Sequence, residues 1–332
     1  LAHTNAVANM LFGAISGSGT AAASAMGSII GPIEEEEGYD RDFSAAANIA
    51  TAPTGLLIPP SNVMITYSLV SGGTSVAALF MAGYIPGILW GLACMAVIYY
   101  FAKKKGYRSA VKYSFSEKVK VFFQAIPCLL MIVIVIGGII SGIFTATEGS
   151  VVAVVYSLIV GIFVYKELRL KELKETLFST AKTTGMILLI IMNAGIFSWV
   201  LTQQGIAASL TEMALALTDN KYIMLFIINI VFLCAGCVMD NTSALYILVP
   251  IIMPIAKALD INMIHLGVIL VLNLSIGQVT PPVGPNLYVA ADIGKVKFEV
   301  ICRKMVPLLL MSLVALFAIT YIPALSLCLI PS

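Results

Sequence analysis

The stretch Gly55-Leu56-Leu57-Ile58-Pro59-Pro60-Ser61-Asn62 interrupts one apolar run of the chain, and Gly277-Gln278-Val279-Thr280-Pro281-Pro282-Val283-Gly284-Pro285-Asn286 interrupts another. Each run is otherwise apolar enough to cross a membrane. Because proline lacks a backbone donor and clashes with the preceding turn, neither run forms one continuous helix. Hydrocarbon cannot pair with the carbonyls and amides that a break sets free. We therefore expect both breaks to line a protein-buried or water-filled cavity.

The composition indicates an all-α protein that crosses a membrane several times. Of the 332 residues, 60% are hydrophobic and 11% are charged, and the mean hydropathy is +1.00. These values exclude an ordinary soluble domain and are typical of a protein that lies in a lipid bilayer. The net charge of +2 does not indicate nucleic-acid binding, because the basic residues lie in short loops. Six scattered cysteines do not resemble a disulfide framework.

Two segments are predicted to be re-entrant hairpins. In the first, residues 1–16 and 21–33 flank Ser16-Gly17-Ser18-Gly19-Thr20. In the second, residues 221–238 and 243–257 flank Met239-Asp240-Asn241-Thr242. The arms are shorter than the ~20 apolar residues that a bilayer of ~30 Å requires. We expect the tip of each hairpin to lie at membrane depth.

A broken helix follows each hairpin, and continuous spans complete the chain. An acidic loop is expected from Glu34 to Asp42, a first broken helix from Phe43 to about Ser71, and a second over 263–292. The leucines of residues 166–182 recur at helical spacing and predict an interfacial helix. Full spans are expected at 77–102, 121–145, 149–165, 184–202 and 305–330.

The lysine-rich loop 103–120 sets the orientation, because the positive-inside rule places it in the cytoplasm. Counting spans from this loop, the first hairpin enters from the cytoplasm and the second from outside. The two hairpins therefore have inverted topology. Paired helix interruptions in corresponding parts of two halves are typical of the binding site of a secondary transporter.

An internal repeat supports this division. Adding 222 to seven positions of the first half gives the same residue types in the second. The pairs are Thr20 and Thr242, Ile29 and Ile251, Ile30 and Ile252, Pro32 and Pro254, Gly55 and Gly277, Pro59 and Pro281, and Pro60 and Pro282. Pro86 and Pro307 follow one residue out of step, and each is expected to open the next span.

The repeat predicts three domains: a first core at 1–102, a middle segment at 103–220 with the cytoplasmic loop, scaffold helices and interfacial helix, and a second core with the last span at 221–332. About 100 scaffold residues precede the second hairpin, so we expect a similar number upstream of Leu1.

The breaks suggest ion chemistry. Half-helix C-termini near residues 16, 54, 238 and 276 present free carbonyls, which suit a hard cation such as Na⁺. Half-helix N-termini near 20, 61, 243 and 286 present free amides, which suit a carboxylate. The available side-chain oxygens belong to Ser18, Thr20, Asp240, Asn241, Thr242, Ser243 and Thr280. Each hydroxyl alone is more often a helix cap, and Asn62 and Asn286 are interpreted as caps too.

Asp240 has two interpretations: it compensates a bound cation, or it caps the second arm of its hairpin. Na⁺ is favoured over H⁺ because the sequence has no chain of buried acids or histidines to relay protons; His3 and His265 lie near segment ends. Cys234 and Cys237 have a redox spacing, but inside an apolar arm they are interpreted as packing residues.

These motifs resemble a known family. Ser16 to Thr20, Gly38-Tyr39-Asp40, Ile58 to Ser61, Asp240 to Thr242 and Gly277 to Pro282 are similar to the large membrane subunit of tripartite ATP-independent periplasmic (TRAP) transporters. The resemblance implies a bacterial inner membrane location, Na⁺-coupled uptake and an elevator-type fold. It implies three partners: a small membrane subunit, a periplasmic substrate-binding protein and an organic acid anion. The anions of this family include C4-dicarboxylates and sialic acid, and the segment Ala21 to Ala25 looks more similar to the sialic acid branch.

By motif position, the resemblance implies two Na⁺ sites and one substrate site. The Na⁺ sites would use Gly17, Ser18, Thr20, Gly55 and Ile58 in one half, and Asp240, Asn241, Thr242, Gly277 and Thr280 in the other. The substrate would lie between the hairpin tips, near Ser18, Thr20, Ser61, Asn62, Thr242, Ser243 and Asn286.

Two alternatives differ in class. A stand-alone dicarboxylate/Na⁺ symporter of related fold needs no binding protein. An intramembrane enzyme would use Asp240 or the cysteine pair, but the sequence lacks a His-Glu-x-x-His motif and a Gly-x-Ser-x-Gly elbow. A transporter is therefore the favoured function, and an enzyme is not expected.

Overall fold

The computed structural model describes residues 1–107 and 114–330, and this part of the chain is helical, without strands. Fourteen helices of nine residues or more occur within it. They are α1 (Ala2–Ser16), α2 (Gly19–Glu36), α3 (Arg41–Thr51), α4 (Asn62–Val70), α5 (Val76–Lys105), α6 (Phe115–Ile140), α7 (Ala146–Ile159), α8 (Leu170–Gln203), α9 (Ile206–Leu217), α10 (Lys221–Val238), α11 (Asn241–Ala258), α12 (Met263–Gly277), α13 (Pro285–Gly294) and α14 (Phe298–Tyr321).

Seven helical segments in the described ranges are long and apolar enough to cross a membrane. The predicted class, an all-helical protein with several spans, is confirmed. The seven segments are Val76–Lys105, Phe115–Ile140, Ala146–Val164, Lys171–Phe197, Lys221–Val238, Asn241–Ala258 and Phe298–Tyr321. The list includes both arms of the second predicted hairpin, each of 18 residues, or about 27 Å of helix. Their re-entrant character therefore stays a prediction.

The chain forms two compact units: Leu1–Ala110 with Gly205–Ser332, and Val111–Gln204. In the second unit, α6 packs on α7, and Tyr156 Oη donates a hydrogen bond to Pro127 O (2.8 Å). Many apolar side chains of α6, α7 and α8 are exposed, as expected for helices that face lipid. The three-domain boundaries drawn from the sequence stay a prediction.

In the first unit, helix ends recur at a spacing of 222 residues. Helices α2, α3 and α5 begin at Gly19, Arg41 and Val76, and α11, α12 and α14 begin 222 positions later. The Pro59–Pro60 and Pro281–Pro282 peptide bonds are both cis. A 3-10 turn, Ala52–Leu56, follows α3, so each Pro-Pro pair lies between two helical segments, as predicted.

Helices of the two halves pack against each other crosswise. Helix α2 of the first hairpin contacts α13 of the second broken helix, and α11 of the second hairpin contacts α4 of the first. Within each half, α1 contacts the 3-10 turn and α10 contacts α12. The two long helices α5 and α14 also contact each other. Each broken helix is thus held between hairpin arms from both halves.

Four predictions about boundaries are wrong. The interfacial helix 166–182 and the span 184–202 form one helix, α8, because Thr183 and Thr184 do not break it and a lone Gly185 is tolerated. Pro86 and Pro307 lie inside α5 and α14 rather than opening them. The last span accordingly begins at Phe298 instead of 305 and ends at Tyr321.

The acidic segment Glu34–Asp42 is mostly helical rather than a loop. Helix α2 continues to Glu36 and α3 begins at Arg41, so only residues 37–40 connect them. Glu34 lies in the last turn of α2 and is fully buried. Helix α9, which follows Gly205 in its left-handed conformation (φ 67°), was not predicted.

Candidate functional site

The tip of the first hairpin is a tight turn between α1 and α2. Gly17 has a positive φ of 63°, a conformation that favours glycine. Ser18 caps α2 by accepting a hydrogen bond from the backbone N–H of Ala21 (3.2 Å). The Thr20 hydroxyl lies 2.9 Å from the Ser18 hydroxyl. Both predicted site hydroxyls are thus placed at the helix N-terminus, with Ser18 as a cap.

The tip of the second hairpin is capped by Asp240. Its Oδ2 accepts a hydrogen bond from the N–H of Thr242 (3.0 Å), and the residue is exposed. Of its two interpretations, capping is the one that this geometry supports; a cation role stays a prediction. Asn241 is buried, and neither atom of its side-chain amide has a partner in the described part of the protein. Thr242 and Ser243 are half-buried in the first turn of α11.

Two glycine contacts bring each break against the hairpin of its own half. A Cβ added to Gly55 would lie 2.6 Å from backbone atoms of Gly13 and Ala14. A Cβ added to Gly277 would lie 2.5 Å from Gly236. Backbone at this distance leaves no room for a side chain. The two glycines that the sequence singles out therefore touch hairpin backbone in equivalent positions of the two halves.

Hydroxyl groups hold the backbone at the breaks. Ser61 caps α4, accepting from Met64 N–H (3.2 Å), and its own hydroxyl donates to Leu56 O. Thr280 Oγ1 donates to Ile276 O (2.8 Å). Ile58 is half-buried beside Gly87 of α5. Each of the two hydroxyls therefore donates a hydrogen bond to a backbone carbonyl of its broken helix.

The predicted capping roles of Asn62 and Asn286 are wrong. Ser61 caps α4, so Asn62 is the first helical residue. Gly284 precedes α13 and Pro285 takes its first position, which suits a residue without a backbone donor. Asn286 is fully buried, and neither atom of its side-chain amide has a partner within the described residues.

The first hairpin tip meets the breaks of both halves. A Cβ added to Gly17 would lie 2.8 Å from the amide of Asn62, in the first half. A Cβ added to Gly19 would lie 2.7 Å from Gln278 Oε1 and 3.4 Å from Asn286 Nδ2, in the second half. The structure thus brings Gly17, Asn62 and Asn286 to one tip. Among the described residues, no hydrogen bond joins the two tips to each other.

A buried polar network in the first half was not predicted. Asn9 Nδ2 of α1 lies within 3.1 Å of four oxygens: Asn5 Oδ1, Asn48 O, Asn48 Oδ1 and Thr51 Oγ1. Asn48 Nδ2 donates to Ala23 O of α2 (2.7 Å). The network therefore ties α1, α2 and α3 together below the tip. The sequence signal was the asparagines at i and i+4 of an apolar segment.

A cavity of about 390 Å³ lies between α2, α3 and α13. Its lining includes the polar side chains of Ser28, Ser44 and Asn48. Four charged residues also line it: Glu35 with Arg41, and Asp292 with Lys295, each forming an ion pair. The cavity begins at Gly27, eight residues along α2 from Gly19, or about 12 Å from the tip. Its size suits a small organic molecule.

The described residues hold no group of three or more His, Cys, Asp or Glu side chains that could bind a metal. The helix breaks and hairpin tips offer a cation hydroxyl, amide and carbonyl oxygens, and the carboxylate of Asp240. Such hard donors suit Na⁺ better than a transition metal.

Comparison with known proteins gives one consistent result. Residues 1–325 match the family model of the tripartite ATP-independent periplasmic transporter, DctM component. The chain is 46% identical over 327 residues (98% of this chain, 75% of the relative) to the uncharacterized protein YgiK of Salmonella typhimurium. It is 42% identical to the C4-dicarboxylate TRAP transporter large permease protein DctM of Pseudomonas aeruginosa (99% and 77%). It is 36% identical to the sialic acid TRAP transporter large permease protein SiaM of Vibrio cholerae (97% and 75%).

Proposed function

The chain belongs to the DctM family of tripartite ATP-independent periplasmic transporters, and from this premise we propose that it imports an organic acid anion together with Na⁺. A large permease subunit of this family is a membrane transport protein rather than an enzyme.

The crosswise packing of hairpins and broken helices is the observation that carries the proposal. Helix α2 of one half lies on α13 of the other, and α11 lies on α4. An inverted pair of repeats built in this way places two helix breaks and two hairpin tips around one centre. We assign the two halves as inverted repeats whose hairpins are re-entrant. An elevator movement would carry this core across the membrane as one body.

Each half supplies one Na⁺ site where its hairpin meets its break. Support comes from the Gly55 and Gly277 contacts, which bring hairpin backbone against the carbonyl-rich end of a half-helix. Ser18 and Thr20 lie at the tip of the first half, with Gly17 and Ile58 close to its break. Asp240, Asn241, Thr242 and Thr280 are the corresponding donors of the second half.

The anion would bind beside the first tip and in the cavity below it. Asn286 and Asn241 have buried amides that find no partner within residues 1–107 and 114–330, and Ser61, Asn62 and Ser243 lie at half-helix N-termini. Buried polar groups are nearly always paired, so a ligand or water is the expected partner. Arg41 and Lys295 line the cavity, each in an ion pair with an acid of the lining, and a carboxylate would bind there by replacing that acid as the partner of one base. The substrates named for two of the relatives, C4-dicarboxylates and sialic acid, are carboxylates.

Family membership also implies partners. A small membrane subunit and a periplasmic substrate-binding protein complete a tripartite system, and the location would be the bacterial inner membrane. The exposed apolar faces of α6, α7 and α8 are consistent with contact to lipid and to a second membrane subunit.

Uptake into proteoliposomes tests the proposal. The full-length gene product, with its small subunit and binding protein, is given an inward Na⁺ gradient and labelled succinate or N-acetylneuraminate. Saturable uptake that needs both the gradient and the binding protein is expected. Uptake undiminished without the binding protein would identify a stand-alone symporter instead, and uptake indifferent to Na⁺ would overturn the proposed coupling.

A further inference from the structure

Glu34 is a buried acid that the proposed transport sites do not use. It is fully buried in the last turn of α2. Its Oε2 accepts a hydrogen bond from the Ser44 hydroxyl of α3, and its Oε1 has no partner in the described ranges. A carboxylate that is buried with one oxygen unpaired is costly unless it takes up a proton.

No cation pairs with Glu34 in the part of the chain that the structure describes. The four ion pairs there use Glu35, Asp40, Asp42 and Asp292. The basic residues of the adjoining cavity form ion pairs with other acids: Arg41 with Glu35, and Lys295 with Asp292. Glu34 is thus the one acid among these neighbours that is buried without a counter-charge.

Burial raises the pKa of the Glu34 carboxyl above its usual range. The Ser44 hydroxyl and the amide of Asn5 act in the opposite direction. Tyr39 faces the same carboxyl from the turn after α2, and its N–H donates to Glu34 O (2.9 Å). Across the cavity, α13 contributes Asp292, with Lys295 following its end.

Ser44 connects this acid to the cavity, because the same residue hydrogen-bonds Glu34 and lines the space where the anion would bind. While Glu34 is ionised, the single hydroxyl proton of Ser44 is committed to it. Once Glu34 is protonated, its own O–H can donate to Ser44 Oγ. The Ser44 proton is then free to turn toward an anion in the cavity.

We propose that Glu34 is a proton-binding site coupled through Ser44 to anion binding in the cavity. The step is a simple protonation: one proton from water joins the Glu34 carboxylate as one anion enters, and it leaves when the anion leaves. This inference rests on the proposed function, since it needs an anion in the cavity. It adds H⁺ as a bound species beside the proposed Na⁺.

The test measures proton uptake on anion binding. The purified full-length protein, in detergent at fixed Na⁺, is titrated with succinate and with N-acetylneuraminate in a weakly buffered solution that contains a pH indicator, across a pH series. Wild-type protein is expected to take up about half a proton per anion at the pKa of Glu34 in the free protein, and close to one proton per anion above it. Above that pKa the affinity of the protein for the anion should fall by up to tenfold per pH unit, because a proton must bind together with the anion and the proton concentration is lower.

Three variants complete the test. Glu34→Gln, which mimics the protonated acid, should bind with an affinity that no longer depends on pH and without proton uptake. Ser44→Ala should also lose most of the proton uptake while Glu34 remains present. Glu36→Gln, which removes the same charge two residues on at an exposed position, should behave like wild type.

The outcomes separate the two proposals. Anion binding with equal proton uptake in wild type and Glu34→Gln would overturn the role of Glu34 and leave the proposed function standing. Absence of binding by either probe, in any variant at any pH, would overturn the anion site in the cavity and the coupling with it, and Na⁺-driven uptake in proteoliposomes would then decide the proposed function separately.

Discussion

Trp90 Nε1 donates a hydrogen bond of 2.8 Å to Ser312 Oγ, and the two residues are 222 positions apart, the same spacing that relates the two Pro-Pro breaks. Both side chains are fully buried, where α5 meets α14. Equivalent positions of two repeats can touch only close to the axis that relates them. This bond therefore marks the centre of the proposed two-fold arrangement.

Removing the acceptor of that bond should destabilise the protein. We expect Ser312→Ala to cost ~1–3 kcal/mol, because the buried indole N–H of Trp90 then lacks a partner. Chemical unfolding in detergent measures the loss. The double variant Trp90→Phe/Ser312→Ala should lose less stability than the two single variants together, because it has no indole N–H left without a partner. Strict additivity would mean that the bond contributes nothing.

The glycines at the breaks should tolerate no side chain. Gly55→Ala and Gly277→Ala would each push a methyl group against hairpin backbone and should each lower the stability by ~1–3 kcal/mol. Gly137→Ala is the matched control: this helical glycine has no neighbour within 4 Å, and alanine should be neutral or favourable by up to ~1 kcal/mol. Equal stability of all three variants would contradict the close contact.

Gly19→Ala should impair transport more than stability. The added methyl meets the end of the Gln278 side chain, which can move aside, so the free energy of unfolding should change little. The displaced Gln278 would then disturb the junction between the first tip and the second break. Uptake rate and thermal unfolding of the same preparation check this, and loss of both together would indicate a purely structural role for the contact.

The Na⁺ assignment in the second half can be tested at Thr280. Thr280→Val keeps the shape of the side chain but removes its oxygen, and Asp240→Ala removes the cap of α11 and a negative charge. Each should raise the Na⁺ concentration for half-maximal uptake roughly tenfold, or ~1.4 kcal/mol. Thr180→Val is the control, because the Thr180 hydroxyl donates to the carbonyl four residues before it, as Thr280 does. Unchanged Na⁺ dependence in both site variants would remove them from the site.

Stability should depend on pH at the turn between α2 and α3. A hydrogen-bonded ion pair with Lys105 lowers the pKa of Asp40 below its usual range, with help from Tyr107. The pair therefore contributes stability above the ordinary pKa of an aspartate, and this contribution is lost as the pH falls through the lowered pKa. Lys105→Met should show a smaller acid-induced loss in thermal scans.

The Asp40 pair is largely exposed, so the difference between Lys105→Met and wild type should be small and should shrink in high salt. Lys104→Met, which removes a neighbouring charge without this ion pair, should follow the wild-type acid profile. A profile in Lys105→Met that matches wild type would mean that the pair does not contribute.

Part of the fold could be predicted from the sequence because proline and glycine act locally. The paired prolines Pro59–Pro60 and Pro281–Pro282 each lie between two helical segments, and the predicted hairpin and broken-helix segments agree with the helix ends to within a few residues. The boundaries that were predicted wrongly lie at residues that are tolerated both inside a helix and at its end. Pro86 and Pro307 lie in the interior of long helices, and no residue between 182 and 184 stops α8.

The candidate site was less accessible to sequence reasoning, because its members meet over long separations. The tip glycines and hydroxyls were predicted from their motif. The contact of Gly19 with Gln278 joins residues that are about 260 positions apart, and nothing local indicates it. The run of four glutamates that begins at Glu34 predicts a loop, but Glu34 lies in the last turn of α2. Its burial depends on α1 and α3, which cover that one face of the helix.

The crosswise packing also has a consequence for synthesis. Helix α2 finishes at Glu36, but its partner α13 begins only at Pro285, about 250 residues later in the order of translation. At roughly 5–20 residues per second the first hairpin waits between about 12 and 50 seconds for that surface to emerge. The insertion machinery or lipid must therefore shield the nascent first half until the second half is synthesised. A ribosome that stalls midway would leave the first half without the second-half helices against which it packs.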